Sequence, residues 1–152
     1  MGKMIDGINL TELKIIPSDL GAIMHAMKCD DQGFAGFGEA YFSIINKGVI
    51  KGWKKHTLMI SNIVVPVGII RFVIFDERPY SHTKNNYFEV TLSKNNYQRL
   101  TVQPGLWMAF EGIGQGSSML LNIGSIKHDS KEAETSPFEN SRIKYPIKRN
   151  EE

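Results

Sequence analysis

The chain of 152 residues contains a single cysteine, Cys29, which excludes an internal disulfide and any metal cage built from several thiolates. It also lacks a long apolar run. The most hydrophobic stretch, residues 60–75, is interrupted by Ser61, Asn62, Pro66, Gly68 and Arg71, so it cannot cross a bilayer as a helix. The opening segment, MGKMIDGINLTELKII, has no continuous apolar core of the kind a signal peptide needs, and Asp6 stands where a myristoylation signal wants Ser or Thr. Charge of one sign is scarce too. A net charge of +2 is too near neutrality for a nucleic-acid footprint. With 41% hydrophobic and 22% charged residues, the composition is that of a soluble globular domain, and a reduced, cytoplasmic protein is the expectation.

Helical periodicity is almost absent. In its place are short runs rich in Val, Ile, Phe and Tyr, divided by Gly, Pro, Asn and Asp about every 8–12 residues, the pattern of an antiparallel all-β sandwich or barrel. In GFGEAYFSIIN, Glu39, Tyr41 and Ser43 share one face of a strand while Ala40, Phe42 and Ile44 share the other. SNIVVPVGIIRFVIFDER reads as two strands meeting at Pro66-Val67-Gly68. YFEVTLS and NYQRLTVQ are strands joined through Lys94-Asn95-Asn96, and PGLWMAFEGI and SSMLLNIGS are two more. GIGQGSS (Gly112 to Ser118) lies between strands rather than before a helix, so it reads as a hairpin loop and not a phosphate cradle. Asp76 and Arg78 read as an ion pair at a sheet end, Trp53 and Trp107 as core or pocket wall, and His25 and His82 as structural. Residues 1–135 form the expected single domain. Residues 136–152, charged and poor in core residues, read as a surface tail.

The segment FGEAYFSIINKGVIKGWKKH, then PVGIIRFVIFDER, then VTLSKNNYQRLTVQPGLWMAFEGI, then SMLLNIGS resembles the dTDP-4-dehydrorhamnose 3,5-epimerase family, in that order and with nearly ungapped spacing from about Ile15 to Glu134. The resemblance implies a cupin-type jelly roll, a nucleotide-linked 4-keto-6-deoxy sugar as substrate, no cofactor, and a homodimer that exchanges N-terminal strands. It also implies epimerisation at C3, C5 or both. That chemistry takes a proton from the carbon beside a ketone and returns one to the other face, so it needs a base, a donor and a group that holds the enolate oxygen.

The family's R-G-L-H-x-Q motif falls here on Lys51, Gly52, Trp53, Lys54, Lys55 and His56. Lys54 therefore occupies the slot of the catalytic histidine, and His56, two residues on and on the same strand face, is the segment's standard acid–base group. Both are candidate catalytic residues, Lys54 through a neutral amine if buried. Lys51 takes the place of a phosphate-binding arginine. Glu39 and Tyr41 replace residues that touch the nucleotide sugar, and His128 lies near a pocket aromatic, so all three are substrate-binding candidates. Asn122 stands where the family has its proton-donating tyrosine and is a substrate-contact candidate. Met108 replaces a turn histidine, the N-terminal phosphate-binding arginine falls near Leu20, and the enolate-supporting lysine falls near Ser61. A metal cupin would carry H-x-H and a further histidine after the turn; K-K-H and Met108 argue against a metal. The same enolate chemistry would also serve a keto-sugar 3,4-isomerase. Loss of the usual histidine and tyrosine together would suit a catalytically silent member that binds a sugar nucleotide or a partner enzyme.

Overall fold

A computed structural model describes residues 3–139 and 142–146. Among these residues there are twelve strands and no helix. In chain order they are β1 (Ile8–Glu12), β2 (Ile15–Ser18), β3 (Gly21–Met24), β4 (Glu39–Ile45), β5 (Ile50–His56), β6 (Ser61–Val67), β7 (Ile69–Asp76), β8 (Tyr87–Ser93), β9 (Gln98–Val102), β10 (Leu106–Gly112), β11 (Ser118–Gly124) and β12 (Ala133–Thr135). Two five-stranded antiparallel sheets face each other, one in the order β1-β9-β6-β11-β4 and the other β12-β5-β10-β7-β8. The hairpin β2–β3 stands apart from both. This is the expected all-β jelly roll.

Most consecutive strands change sheet. Gly112 to Ser118 is accordingly an arch from β10 to β11 across the sandwich, not the expected hairpin loop. The pattern of turn residues marks a reversal in either case, and only the pairing partners tell the two apart. The β6–β7 corner at Gly68 is of the same kind. Gly68 has φ +78°, and a Cβ there would lie 2.2 Å from Ser118 Oγ. The Ser118 hydroxyl receives the Ile69 N–H at 3.0 Å, tying the corner to β11.

Between the sheets lies an aliphatic and aromatic core. Ile63, Val65, Leu100 and Leu120 on one side meet Ile70, Phe72, Ile74, Phe88, Val90 and Leu92 on the other. The strict alternation of β8 (half-buried, buried, half-buried) shows how a period of two selects these residues. A buried arginine, Arg99, holds the loop that crosses the outside of the first sheet, donating to the carbonyls of Ala26 at 2.8 Å and Gln32 at 3.0 Å.

A second core covers the outside of the other sheet. Trp53, Val73, Trp107 and Ala109 are buried there under Ile143, with Phe75, Tyr87 and Tyr145 against them. The segment expected to trail as a surface tail supplies this cover through residues 136–139 and 142–146. Ser136 N donates to the Trp53 carbonyl at 3.0 Å, and Trp53 Nε1 donates to the Ile143 carbonyl at 3.2 Å. Arg71, only 3% exposed, binds the end of the strap through Tyr145 Oη at 3.0 Å and the Pro146 carbonyl at 2.7 Å. A few apolar residues in a charged stretch suffice because they meet an indole already in place. Residues 147–152 of that stretch lie outside the described residues. Ile143→Ala should therefore lower stability by about 2–4 kcal/mol, read from a urea titration, whereas a dispensable tail would leave the midpoint unchanged.

Candidate active site

The site grows out of β5 and one irregularity in it. Met108 on β10 pairs with Lys54 and Phe110 pairs with Lys51, so two steps on β10 oppose three on β5. This is a β-bulge at Gly52-Trp53. Trp53 enters the outer core, and a Cβ at Gly52 would touch Phe138 of the strap, so both bulge residues face outward. Lys51 and Lys54 then share the inner face with their partners Phe110 and Met108, which pack on the inner core. Alternation carries His56 inward as well and sends Lys55 outward, over the Trp107 ring at 4.9 Å.

The facing strand is β4, joined to β5 by a short arch. Ile45 is buried in the inner core, so Ser43, Tyr41 and Glu39 face inward. Lys51 Nζ donates to Ser43 Oγ at 3.0 Å and to the Ile44 carbonyl at 3.2 Å, fixing the level at which the sheets meet. One inward step along β4 from Ser43, Tyr41 pairs with Asn122 of β11, and one step further Glu39 pairs with Gly124. Rungs on one face are about 7 Å apart. Along the same rows the far halves of both sheets are aliphatic, as at Ile63, Leu100 and Ile74. The interior is thus divided into a hydrophobic half and a polar half at the β4/β5 side.

His56 is not alone. Its Nδ1 is in close contact with Glu132 Oε1, and Glu132 is only 4% exposed. The other carboxylate oxygen accepts three backbone N–H groups, from Thr57 at 3.1 Å, Leu58 at 3.0 Å and Met59 at 3.2 Å. Burial pushes the Glu132 pKa up, but the His56 bond and the Leu58 and Met59 amides outweigh it and hold the value down at about 2. An ionised carboxylate can only accept, so His56 Nδ1 carries the hydrogen, and in the neutral imidazole Nε2 then holds the lone pair. That tautomer suits a general base. Glu132 was invisible in the sequence: it sits in a polar run between β11 and β12, with no spacing rule that links it to His56, 76 residues away.

Asn122, buried, donates from Nδ2 to Tyr41 Oη at 3.0 Å. Glu39 is half-buried at the end of β4. His128 stands apart, exposed on the loop after β11, and no hydrogen bond or ion pair among the described residues joins it to the others. His82 is likewise exposed. Asp76 and Arg78 form the expected sheet-end pair, with Arg78 Nε 2.9 Å from Asp76 Oδ1 and the hydroxyls of Ser81 and Thr83 completing the carboxylate's shell. Burial acts to raise the Asp76 pKa, and these hydrogen bonds hold it far below the usual carboxylate range. Among the described residues no three His, Cys, Asp or Glu side chains gather to hold a metal.

Two facing antiparallel sheets define a cupin-type jelly roll, with a histidine–carboxylate pair at the end of β5. No protein-family profile matches the chain. A solved dTDP sugar isomerase from Desulfovibrio desulfuricans G20 is 35% identical, with a TM-score of 0.87 over 90% of this chain and 87% of that one. The probable low-salt glycan biosynthesis epimerase Agl13 of Haloferax volcanii is 25% identical over 127 residues, 82% of this chain and 81% of the relative. The Legionella pneumophila dTDP-6-deoxy-D-glucose-3,5-epimerase RmlC, solved with dTDP-4-keto-L-rhamnose, shares the fold at a TM-score of 0.80 and 16% identity, over 97% of this chain and 85% of that one. The chain belongs to the dTDP-4-dehydrorhamnose 3,5-epimerase family.

The depressed Glu132 pKa makes a stability claim with a definite sign. Ionised Glu132 stabilises the fold fully above its ordinary value of 4.5, and that contribution is lost as pH falls toward about 2. Glu132→Gln should therefore narrow the difference in thermal midpoint between pH 7 and pH 3. An unchanged difference would mean that the carboxylate is not ionised in this setting.

Proposed function

We propose that the protein epimerises a nucleotide-linked 4-keto-6-deoxy sugar next to its ketone, in the synthesis of a surface polysaccharide. The observation that carries this reading is the His56–Glu132 pair, on a histidine that shares the inward face of β5 with Lys54. His56 takes the proton from the carbon beside C4, and Glu132 stabilises the imidazolium that forms. Lys54, as a cation on the adjoining rung, holds the enolate oxygen. Lys51, at the mouth of the arch, meets the diphosphate, while Glu39, Tyr41 and Asn122 contact the sugar nucleotide. His128 is a rim contact at most, given its exposure. Agl13 and RmlC, as named, support the epimerase reading and the dTDP-sugar class. The 35% identical isomerase favours a second reading, in which the same enolate moves the ketone from C4 to C3.

The enzyme acts in the cytoplasm as a homodimer on this reading. Supporting the dimer are Ile16, Leu20 and Ile23, exposed on a β2–β3 hairpin that hydrogen-bonds into neither sheet, and Phe42 and Ile44, exposed on the outer face of β4. An isolated hairpin is marginal in water and gains from docking on a second copy. Light scattering on the eluting protein should give twice the chain mass, and Leu20→Asp with Ile23→Asp should shift it toward the monomer.

The catalytic reading is tested by incubating the protein with a dTDP-linked 4-keto-6-deoxy hexose in heavy water. Deuterium should enter the carbon beside the ketone, read by mass spectrometry, and His56→Ala should slow this by roughly 10²-fold or more. Binding without any exchange would favour the silent family member. Proton NMR separates the two enzymes, since the isomerase moves the carbonyl and the epimerase does not.

A further inference from the structure

Arg99 is a buried cation that the chemistry between the sheets does not use. Its neighbour Leu100 belongs to the inner core, so alternation along β9 turns Arg99 to the outside of the first sheet. The residue is nonetheless 0% exposed, because residues 26–32 cross over it. Its terminal nitrogens hold that crossing segment. Nη1 donates to the Ala26 carbonyl at 2.8 Å and to Asp31 Oδ2 at 3.2 Å, and Nη2 donates to the Gln32 carbonyl at 3.0 Å. The Nε–H, equally buried, has no acceptor among the described residues. Native structures pair the large majority of such atoms with protein, water or a bound group, so an open one points to something that completes it.

Arg99 also lines a cavity of about 330 Å³ between the β1–β2 connection and the segment that follows β3. That volume lies within the range of small-molecule sites. Lys14 and Lys28 stand exposed at its rim, with the half-buried His25 beside them. None of these three side chains makes a hydrogen bond or ion pair among the described residues. The carboxylates in the wall are Glu12 and Asp31. Asp31 is already engaged, since its Oδ2 accepts the Lys28 N–H at 2.8 Å as well as the Arg99 contact. Three permanent cations therefore face two carboxylates, one of them spoken for.

We infer that this cavity binds the oxyanion of a small molecule, a phosphate or a carboxylate, at a site separate from the one between the sheets. One oxygen accepts the Arg99 Nε–H, and the ammonium groups of Lys14 and Lys28 meet the anion from the rim. With both terminal nitrogens committed to the crossing segment, the guanidinium offers a single donor rather than a fork, and the lysines act as point charges. Leu13 and Met27 give the organic body of the ligand an apolar wall. Occupation also braces the base of the β2–β3 hairpin, which the His25 N–H closes on the Lys14 carbonyl at 3.0 Å.

The test is a titration of the full chain, labelled with ¹⁵N, with inorganic phosphate and separately with acetate, each against chloride at matched ionic strength. The Arg99 Nε–H resonance and the backbone amides of residues 27–31 should move saturably with phosphate, acetate or both, and not with chloride. Tighter phosphate binding assigns a phosphorylated ligand, and tighter acetate binding a carboxylate. Lys14→Ala combined with Lys28→Ala, both at exposed positions, should weaken that binding by roughly tenfold. Lys51→Ala, in the site between the sheets, should leave it within about twofold. A response that chloride reproduces, or that never saturates, would overturn the inference. So would binding that survives the double lysine variant unchanged or is lost in Lys51→Ala, since either result would put the anion elsewhere.

Discussion

One constraint organises the site: the alternation of β5 about its bulge. Trp53 is committed to the outer core, where Ile143 and Tyr145 cover it. With the indole anchored outside, Lys54 and His56 have only the interior to enter, and the extra residue at Gly52 brings Lys51 to the same side. A strand without the bulge would turn Lys51 to the opposite face from Lys54. The strap and the active site are thus two consequences of one strand, one on each face.

Turning Lys54 and His56 toward the interior of a sandwich carries a desolvation cost, and Lys51 stays exposed at the edge. His56 is matched by a carboxylate that three backbone amides already satisfy. Lys51 is satisfied by Ser43 and a backbone carbonyl, with the Phe110 ring beneath it. Lys54 has no such partner among the described residues and stays half-buried at the polar side. Asn122 Oδ1, buried without a partner, lies on the rung that Asn122 shares with Tyr41. A ligand would meet it there, and the aliphatic half of the interior gives the site a rigid wall.

Relative to the family motif, the histidine and the tyrosine are displaced by small steps. The histidine stands two residues along the same strand, which conserves its facing. Tyr41 stands on the neighbouring strand in direct register with Asn122, which conserves its level. Each step is a symmetry of the β-sheet, a period of two along a strand or a unit shift across a ladder, and neither disturbs the pleat.

Much of this was legible before any coordinates. Alternation in the Glu39 to Ile45 segment set Tyr41 and Glu39 on one face, and the K-K-H order set Lys54 and His56 on another, because side-chain direction in a strand follows from position alone. Turn residues located most of the reversals, and the single cysteine and the broken apolar run narrowed the class. Tertiary structure alone decided which face was inside, since that depends on what covers Trp53. It made an arch of residues 112–118, turned the charged C-terminal stretch into a strap, left His128 outside the group, and brought Glu132 to His56. Pairings across 76 residues leave no periodicity in the chain, because they arise from where two sheets happen to meet and not from the local geometry of either strand.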